Sequence, residues 1–283
     1  MTLPKINGSA TVVAIFGDPV IHSLSPAMHN AAFAYLGWNC VYIPCLVKPD
    51  HLAEGVQAIR ALNLKGANVT IPHKQAVIPY LDEIIGDAGL SGSVNTIINR
   101  DGKLYGASTD GIGLIKSLEM EGAFDLQGKK VLVLGAGGTA TAIVFSLINA
   151  GIEELILVNR DQNRANSLKQ KVFQLTGTLI RVAPLTDLPR LDWGAIQLLI
   201  NTTSVGLHDE QSLVPKELLN PGLFVYDVVY HSGGTKLQTD AKAAGCKTLA
   251  GRSMLLYQGV ESFRLWFEIE PPVEVMRKAI NVD

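Results

Sequence analysis

Cysteine, net charge and long apolar segments are all scarce in this sequence of 283 residues. The cysteines, Cys40, Cys45 and Cys246, are an odd set without zinc-type spacing. We interpret them as small buried residues of a protein in a reducing compartment. The net charge of -2 offers no basic surface for nucleic acid or an anionic membrane, so an anionic ligand must be bound by a local site.

The lack of long apolar runs excludes a further class of protein. No run approaches the roughly 20 residues that a membrane-spanning helix needs. The N-terminal segment MTLPKINGSA lacks the apolar centre of a signal peptide, so we expect a cytoplasmic protein. Hydrophobic residues nevertheless make up 47% of the chain, which is enough for the cores of two domains of ordinary size.

Strand-like and helix-like segments alternate along the whole sequence. One helix is predicted to begin with Ser25 as its N-cap residue, directly before a proline. The segment VNTIINRDGKLYGAS predicts two strands joined by a tight turn at Asp101 and Gly102. This alternation predicts an α/β fold with parallel strands in both halves of the chain, and the halves should divide between Asp110 and Gly128.

A glycine-rich turn in the second half carries a recognisable chemistry. Gly135, Gly137 and Ala140 fit the pattern G-x-G-x-x-G/A, directly after an apolar strand and at the start of a helix. The glycines permit a tight turn and a close approach of backbone amides to a pyrophosphate. We interpret the turn as a dinucleotide site, with a purely structural turn as the alternative. A Walker A loop is excluded because no Gly-Lys-Ser/Thr follows.

The residues after the next strand bear on which dinucleotide binds. NAD-binding folds usually place an acidic residue there, on the ribose 2′-hydroxyl. Here the segment reads VNRDQNR, with Asn159 and Arg160 in that place and Arg164 one helical turn later. The two arginines could hold a 2′-phosphate, or they could merely be solvated at a helix start. Asp161, between them, could weaken phosphate binding or serve an NAD ribose.

A lysine follows a strand-like run in the first half. The segment KGANVTIPHK ends at Lys74, just after a proline and at the entry to a helix. An isolated lysine is most often a solvated surface residue. The sequence alone therefore leaves two interpretations of Lys74: it is a surface cation, or it is held in a cleft to move a proton.

Nine segments, in order, resemble those of shikimate dehydrogenases, including the quinate/shikimate dehydrogenase branch. The resemblance covers about residues 15 to 265. The segments are FGDPVIHSLSPAMHN, KGANVTIPHK, GSVNTIIN, STDGIG, VLGAGGTATA, VNRDQNR, INTTSVG, YDVVY and SMLLYQG. So many ordered matches identify the family far more specifically than one glycine turn does.

The resemblance implies a two-domain oxidoreductase. Residues 1–110 are expected to form an α/β substrate-binding domain, to which the C-terminal helices of 250–283 return. Residues 111–249 are expected to form a Rossmann-type domain, a doubly wound parallel sheet that binds NADP. The implied reaction is the reversible reduction of 3-dehydroshikimate to shikimate in aromatic amino acid biosynthesis. The cleft between the domains should close on the substrate and shield the hydride from water.

The resemblance also implies a catalytic pair, Lys74 and Asp110. Oxidation of a secondary alcohol needs a group that takes the hydroxyl proton as the hydride leaves and returns it in reduction. A lysine can serve where desolvation lowers its pKa, while a nearby carboxylate would orient it and stabilise its ammonium form. Without the resemblance, Asp110 could simply cap the helix that begins at Gly111.

The remaining site residues follow from the same motifs. By resemblance, Ser23 and Ser25 bind the substrate carboxylate, Thr70, Asn95, Asp110 and Gln258 bind ring hydroxyls, and Tyr230 lines the site, with Asn68 facing the same region. The implied cofactor residues are Gly135, Ala136, Gly137, Gly138, Thr139, Ala140, Asn159, Arg160, Arg164, Thr202, Ser204 and Gly251. The family uses no metal, and the spacing of His22, His29 and His73 fits no helical ligand pair, so no metal site is predicted.

The sequence leaves two alternative functions open. One is an NAD-linked quinate/shikimate dehydrogenase, which Thr70 and the pair of Arg160 and Arg164 disfavour. The other is a non-catalytic metabolite sensor on the same fold, which would not need both Lys74 and Asp110. Ser108, Ser232 and Ala250 depart from the usual family residues and bear on substrate range and cofactor preference. The sequence leaves open whether the protein is a monomer or a homodimer.

Overall fold

A computed structural model describes residues 6–207, 209–230 and 233–282. Ser232, one of the departures from the family pattern, lies outside the described residues. The described chain divides into two compact units. Unit 1 comprises the residues up to Gly113 and those from Leu255 onward, and unit 2 comprises Leu114–Met254.

In the described residues, unit 1 contains six strands and the helices that flank them. The strands are β1 (Thr11–Gly17), β2 (Cys40–Leu46), β3 (Gly66–Val69), β4 (Glu83–Ile84), β5 (Thr96–Arg100) and β6 (Lys103–Ala107). The helices are α1 (Ser25–Leu36), α2 (Leu52–Ala61), α3 (His73–Ala76), α4 (Asp87–Ser91) and the first turn of α5 (Asp110–Met120). Single turns of 3₁₀-helix occur at Pro49–His51 and Ile78–Tyr80.

The sheet of unit 1 is mixed rather than wholly parallel. Its strand order is β2-β1-β3-β5-β6-β4, with β1 parallel to β2 and β3, and β5 antiparallel to β3 and β6. The predicted turn between β5 and β6 is confirmed, because Asp101 and Gly102 both have positive φ, 53° and 87°. A two-residue turn reverses the chain at once, which leaves no room for the crossover helix that a parallel pair requires. The predicted parallel arrangement of this half therefore holds for β1, β2 and β3, and the antiparallel pairs involve β5, which the predicted hairpin joins to β6.

Strand β1 shows how the sequence builds the core of unit 1. Val13 and Ile15 point to one face of the sheet, and Ala14 and Phe16 to the other, and all four are buried. Successive side chains alternate between the faces of a strand, so a continuous apolar run marks a strand covered on both sides. Helix α2 packs on one face, and α1 and the C-terminal helices pack on the other.

Helix α1 begins at Ser25, with Leu24 as its N-cap residue and no side-chain cap hydrogen bond. The prediction that Ser25 caps this helix was therefore wrong. The helix starts one residue earlier than the Ser-Pro pattern suggested, and the hydroxyl of Ser23 accepts a hydrogen bond from the Ser25 amide at 3.3 Å instead. Gly37 ends the helix in the left-handed conformation, φ 67°.

Unit 2 contains a second six-stranded sheet in the described residues. The strands are β7 (Lys130–Leu134), β8 (Glu154–Val158), β9 (Arg181–Ala183), β10 (Leu198–Asn201), β11 (Phe224–Asp227) and β12 (Lys247–Ala250). The helices are α6 (Gly138–Asn149), α7 (Gln162–Thr176) and α8 (Lys236–Ala243), with 3₁₀ turns at Leu185–Arg190 and Lys216–Leu218. Helix α9 (Gly251–Phe267) begins in unit 2 and ends in unit 1, which also contains α10 (Val273–Ala279).

The second sheet is the predicted doubly wound Rossmann sheet. Its strand order is β12-β11-β10-β7-β8-β9, and each neighbouring pair is parallel. The chain runs outward from β7 in one direction to β9 and then returns to β10 on the other side. The carboxyl ends of β7 and β10 therefore flank the crevice at the topological switch point, where such sheets bind ligands. None of the helices in the described ranges combines the length and the hydropathy that a membrane-spanning helix requires.

Candidate active site

Lys74 and Asp110 form a hydrogen-bonded ion pair within unit 1. The distance from Lys74 Nζ to Asp110 Oδ2 is 2.5 Å, and the two side chains are 15% and 5% exposed. Lys74 lies in the short helix that follows β3, and its carbonyl accepts a hydrogen bond from the amide of Val94 at 2.8 Å. Asp110 is the first residue of α5, just after β6. The fold thus buries most of a lysine that the sequence alone left at the surface or in a cleft.

The amide of Asn95 fixes the other oxygen of Asp110. The backbone N–H of Thr109 donates to Asn95 Oδ1 at 2.8 Å, and a backbone amide can only donate. Asn95 must therefore turn its Nδ2 toward Asp110 Oδ1, at 2.9 Å. The same Nδ2 lies 3.3 Å from Gln258 Oε1, which brings a fourth predicted residue to the cluster, beside Lys74, Asp110 and Asn95. Each oxygen of Asp110 consequently has its own donor.

Behind Asn95 lies a buried polar network that the sequence patterns did not predict. Asn68 Nδ2 donates to the carbonyl of Asn95 at 3.0 Å and to Ser262 Oγ at 3.0 Å, and Tyr42 donates its phenol proton to Asn68 Oδ1 at 2.7 Å. Thr96 Oγ1 lies 2.8 Å from Ser262 Oγ. Polar side chains inside otherwise apolar strands, such as Tyr42 in CVYIPCLV, were the available signal. The network ties three strands and α9 to the residues around Asp110.

The two serines predicted to bind a carboxylate lie at the start of α1. Ser25 is buried, whereas Ser23 is half-buried. Burial raises the pKa of the Tyr42 phenol well above its usual value, and a hydrogen bond with the Ser25 hydroxyl acts in the opposite direction. Thr70 lies directly after β3, four residues before Lys74.

The histidines occupy unrelated positions. His29 is fully buried and stacks on Tyr42 with ring centroids 4.6 Å apart, and burial lowers its pKa to about 3. His73 Nε2 lies 2.6 Å from the carbonyl oxygen of Val47, and His22 is exposed. In the part of the chain that the structure describes, no group of three or more His, Cys, Asp or Glu side chains could hold a metal ion.

In unit 2, the glycine turn joins β7 to α6 at the switch point. Gly135 has φ 109°, and a Cβ atom there would lie 2.5 Å from Thr202 Oγ1. That hydroxyl donates to the carbonyl of Leu134 at 2.6 Å, so Thr202 closes the turn from the side of β10. Gly137 is the exposed N-cap residue of α6, and no described atom beyond its chain neighbours lies within 4 Å of a Cβ built on it. Ala136 completes the turn, and the first turn of α6 contains Gly138, Thr139 and Ala140.

The space above Gly137 suits a pyrophosphate. Because Gly137 has no side chain, the first amides of α6 have no side-chain acceptor at the N-cap position. Such amides and the positive end of the helix dipole favour an anion, and the open surface leaves room for one. The residues present therefore fit a dinucleotide at this turn.

Asp161 has a definite structural role after β8. It is the N-cap residue of α7, and its Oδ1 accepts hydrogen bonds from the amides of Asn163 at 2.9 Å and Arg164 at 3.2 Å. Its Oδ2 lies 3.5 Å from Arg164 Nε. Arg160 is exposed, and Asn159 donates its side-chain amide to the Asp161 carbonyl at 2.7 Å. The carboxylate of Asp161 is thus bound by the first amides of α7 and by the Arg164 side chain.

Three further predicted residues belong to unit 2. Tyr230 follows β11 and is half-buried, and burial raises the pKa of its phenol while the charge of Arg252 acts in the opposite direction. Ser204 is exposed in the loop after β10. Gly251 opens α9 so close to the backbone of Val228 that a Cβ atom would lie 1.9 Å from its carbonyl oxygen. Packing therefore requires a glycine at position 251, whether or not a cofactor binds there.

Comparison with protein-family profiles gives three matches along the chain. Residues 15–97 match the shikimate dehydrogenase substrate binding domain, and residues 118–204 match the shikimate / quinate 5-dehydrogenase family. Residues 251–280 match the shikimate 5′-dehydrogenase C-terminal domain.

Individual relatives resemble the chain over nearly its full length. A shikimate dehydrogenase (NADP(+)) of Moorella thermoacetica is 44% identical over 280 residues, which cover 98% of this chain and 95% of the relative. A crystal structure of a shikimate dehydrogenase in complex with NADP+ superposes with a TM-score of 0.92 at 37% identity, over 98% of this chain and 96% of that one. A Thermus thermophilus shikimate 5-dehydrogenase in complex with NADP(H) and shikimate gives a TM-score of 0.86 at 35% identity, covering 96% and 98%.

Proposed function

This chain belongs to the shikimate dehydrogenase family, and from that premise we propose that it catalyses the reversible NADP(H)-dependent reduction of 3-dehydroshikimate to shikimate. Such an oxidoreductase acts in aromatic amino acid biosynthesis. The observation that carries the proposal for this chain's own residues is the buried pair of Lys74 and Asp110, 2.5 Å apart. We assign these two residues as the catalytic pair.

The pair supplies a proton at a defined atom. Lys74 Nζ, held by Asp110 Oδ2, gives its proton to the oxygen of the ring ketone as that oxygen becomes a hydroxyl. In the reverse direction Nζ takes the hydroxyl proton. Asp110 orients the lysine, and Asn95 in turn orients Asp110 by occupying its second oxygen. Bound NADP(H) supplies the hydride chemistry.

The substrate has a carboxylate and several ring hydroxyls. We assign the carboxylate to Ser23 and Ser25, and the ring hydroxyls to Thr70, Asn95 and Gln258, with Asp110 shared between substrate and lysine. Donors and acceptors of this kind reject an analogue that leaves them unpaired. The cofactor is NADP, as in the curated relatives. We assign it to the glycine turn, to Asn159, Arg160 and Arg164, and to Thr202, Ser204 and Gly251, and we assign Tyr230 to the lining of the substrate site.

The alternatives are less well supported. The full-length relatives are NADP-dependent shikimate dehydrogenases, which disfavours an NAD-linked quinate enzyme. A metabolite sensor would not need a buried proton-transfer pair. A spectrophotometric assay that pairs shikimate or quinate with NADP or NAD tests the proposed activity, and no reduction of NADP by shikimate would refute it.

We propose a cytoplasmic location, which agrees with the free thiols of Cys40, Cys45 and Cys246.

Ser23→Ala is expected to raise KM for shikimate more than it lowers kcat. A contact with the carboxylate, away from the reacting hydroxyl, contributes about equally to ground state and transition state. Loss of one hydrogen bond to a charged group costs about 1.5 to 3 kcal/mol, or roughly 10- to 150-fold in KM. Steady-state kinetics with shikimate measure the effect.

Two companion variants sharpen this test. Ser9→Ala removes an exposed hydroxyl of the same unit and should leave KM unchanged. Ser25→Ala should also raise KM, but it should not remove a helix cap, because Leu24 occupies that position. An unchanged KM in both Ser23→Ala and Ser25→Ala would show that the carboxylate is held elsewhere.

The wild-type protein is expected to prefer NADP over NAD by at least an order of magnitude in kcat/KM, about 1.4 kcal/mol. No acidic residue occupies the end of β8, and Arg160 is exposed and available to a 2′-phosphate. Arg160→Ala should therefore raise KM for NADP and leave the NAD kinetics nearly unchanged.

The matched control is Arg190→Ala, which removes an exposed arginine of the same unit that pairs with Asp187. It should alter neither cofactor constant. Direct titration of NADPH, followed by its fluorescence, provides a reading that does not depend on turnover. Equal or better turnover with NAD at matched subsaturating concentrations would contradict the assignment of the arginines.

A further inference from the structure

The end of β1 approaches the end of β3 so closely that only glycine fits at position 17. A Cβ atom built on Gly17 would lie 2.4 Å from the methyl carbon Cγ2 of Thr70 and 3.3 Å from the carbonyl oxygen of Ile71. Real Cβ contacts under 3.0 Å essentially do not occur, so something would have to move. The φ of Gly17 is not positive, so the backbone conformation itself would accept a side chain. Packing against Thr70 excludes it.

The backbone around this contact has little freedom to yield. The Thr70 amide donates to the carbonyl of Phe16 at 2.9 Å, and the Asp18 amide donates to the carbonyl of Ile71 at 3.0 Å. The carbonyl of Gly17 accepts from the amide of Val47 at 3.2 Å. These hydrogen bonds hold the backbone segments around Gly17 and Thr70 in place. A side chain at position 17 would therefore clash with Thr70, and the clash would be relieved chiefly by rotation of the Thr70 side chain.

Rotation of Thr70 would change the direction of its hydroxyl. Threonine carries a methyl and a hydroxyl on the same carbon, so the position of one determines the position of the other. The methyl of Thr70 rests in the space that Gly17 leaves open. Thr70 as a residue is half-buried, and its hydroxyl forms no hydrogen bond with any residue that the structure describes. It is therefore an unpaired donor and acceptor with a fixed direction.

We propose that Gly17 is a positioning residue, which fixes the rotamer of Thr70 and thereby directs its hydroxyl toward a ring hydroxyl of the substrate. The inference rests on the proposed function, in which Thr70 binds that hydroxyl. It adds that the absence of a side chain at position 17 is part of substrate recognition. A glycine needed only for strand packing would affect stability but not the match between Thr70 and the substrate.

The test is a double-mutant cycle on positions 17 and 70. Gly17→Ala is expected to raise KM for shikimate about tenfold or more, with KM for NADP unchanged within about twofold. In the Thr70→Ser background, which keeps the hydroxyl and removes the methyl, Gly17→Ala should raise KM much less. The remaining contact with the Ile71 carbonyl makes this rescue partial.

A second background separates positioning from packing. Thr70→Val keeps the methyl that meets position 17 but has no hydroxyl to misdirect. Adding Gly17→Ala to it should lower the thermal midpoint as much as in the wild type, with no further loss of shikimate binding in a calorimetric titration. Gly89→Ala is the matched control, because no described atom lies near its Cβ position and its φ is not positive, and it should change neither quantity.

Each outcome bears on the proposal. Equal rises of KM caused by Gly17→Ala with threonine and with serine at position 70 would overturn it, as would an unchanged KM. If Gly17→Ala does not fold, the glycine is explained by packing, and the proposal is overturned. A wild-type protein that does not oxidise shikimate would instead refute the proposed function, so the two failures are distinct.

Discussion

Lys74→Ala is expected to lower kcat by roughly 10² to 10⁴-fold, the usual contribution of a positioned proton donor and acceptor. The alanine leaves no atom to exchange a proton with the substrate oxygen. Shikimate binding should survive, because the serines and Asn95 remain. The measurement is kcat with saturating shikimate and NADP, beside a calorimetric titration of shikimate.

The substitution also removes the cation that pairs with Asp110, a carboxylate only 5% exposed. Breaking a buried pair costs up to about 3 to 5 kcal/mol, and the partial exposure of Lys74 reduces that figure. Circular dichroism must therefore confirm that the variant is folded at the assay temperature. Lys103→Ala, which removes a half-exposed lysine paired with Glu83 in the same unit, should leave kcat unchanged. A folded Lys74→Ala protein with more than about a third of the wild-type kcat would contradict the catalytic role of Lys74.

Gly137→Ala is expected to weaken NADPH binding on the order of 100-fold while leaving the thermal midpoint unchanged, since a lost backbone–phosphate contact to a charged group costs up to about 3 kcal/mol. A methyl group at this position meets no other described residue and requires no unusual φ, so the protein itself should tolerate it. The same methyl group would occupy the space through which the pyrophosphate must approach the amides of α6. Titration of NADPH and a thermal melt measure the two effects.

The neighbouring Gly135→Ala provides the contrast. Its φ of 109° is rarely adopted by other residues, and its Cβ would lie 2.5 Å from Thr202 Oγ1. It should therefore lose stability by about 1 to 3 kcal/mol as well as cofactor affinity. Gly194→Ala, whose nearest contact is an ordinary 3.4 Å, should change neither. Wild-type affinity for NADPH in Gly137→Ala would contradict the assignment of the pyrophosphate to this turn.

Local sequence patterns were sufficient for much of the fold. Turn chemistry located the Asp101–Gly102 hairpin, and the glycine motif between an apolar strand and a helix located the dinucleotide turn. Both depend on residues close together in the chain, whose conformational preferences can be read directly. The same kind of reasoning misplaced the start of α1 by one residue and gave Ser25 a capping role that it lacks. Helix boundaries depend on which amides find acceptors, and these come from the surrounding structure.

The α/β class of the fold, the Rossmann half and the membership of a family in which Lys74 and Asp110 are the expected catalytic residues could all be inferred from the sequence. Which groups meet depends on the tertiary structure. Lys74 and Asp110 are 36 positions apart, and Gln258 reaches Asn95 from a helix 163 positions away. The orientation of the Asn95 amide, the network through Asn68 and Tyr42, and the contact between Gly17 and Thr70 arise from strand pairing between distant segments. Periodicity reports which face of an element is buried, whereas partners across a sheet are set by register and packing, which no local pattern encodes.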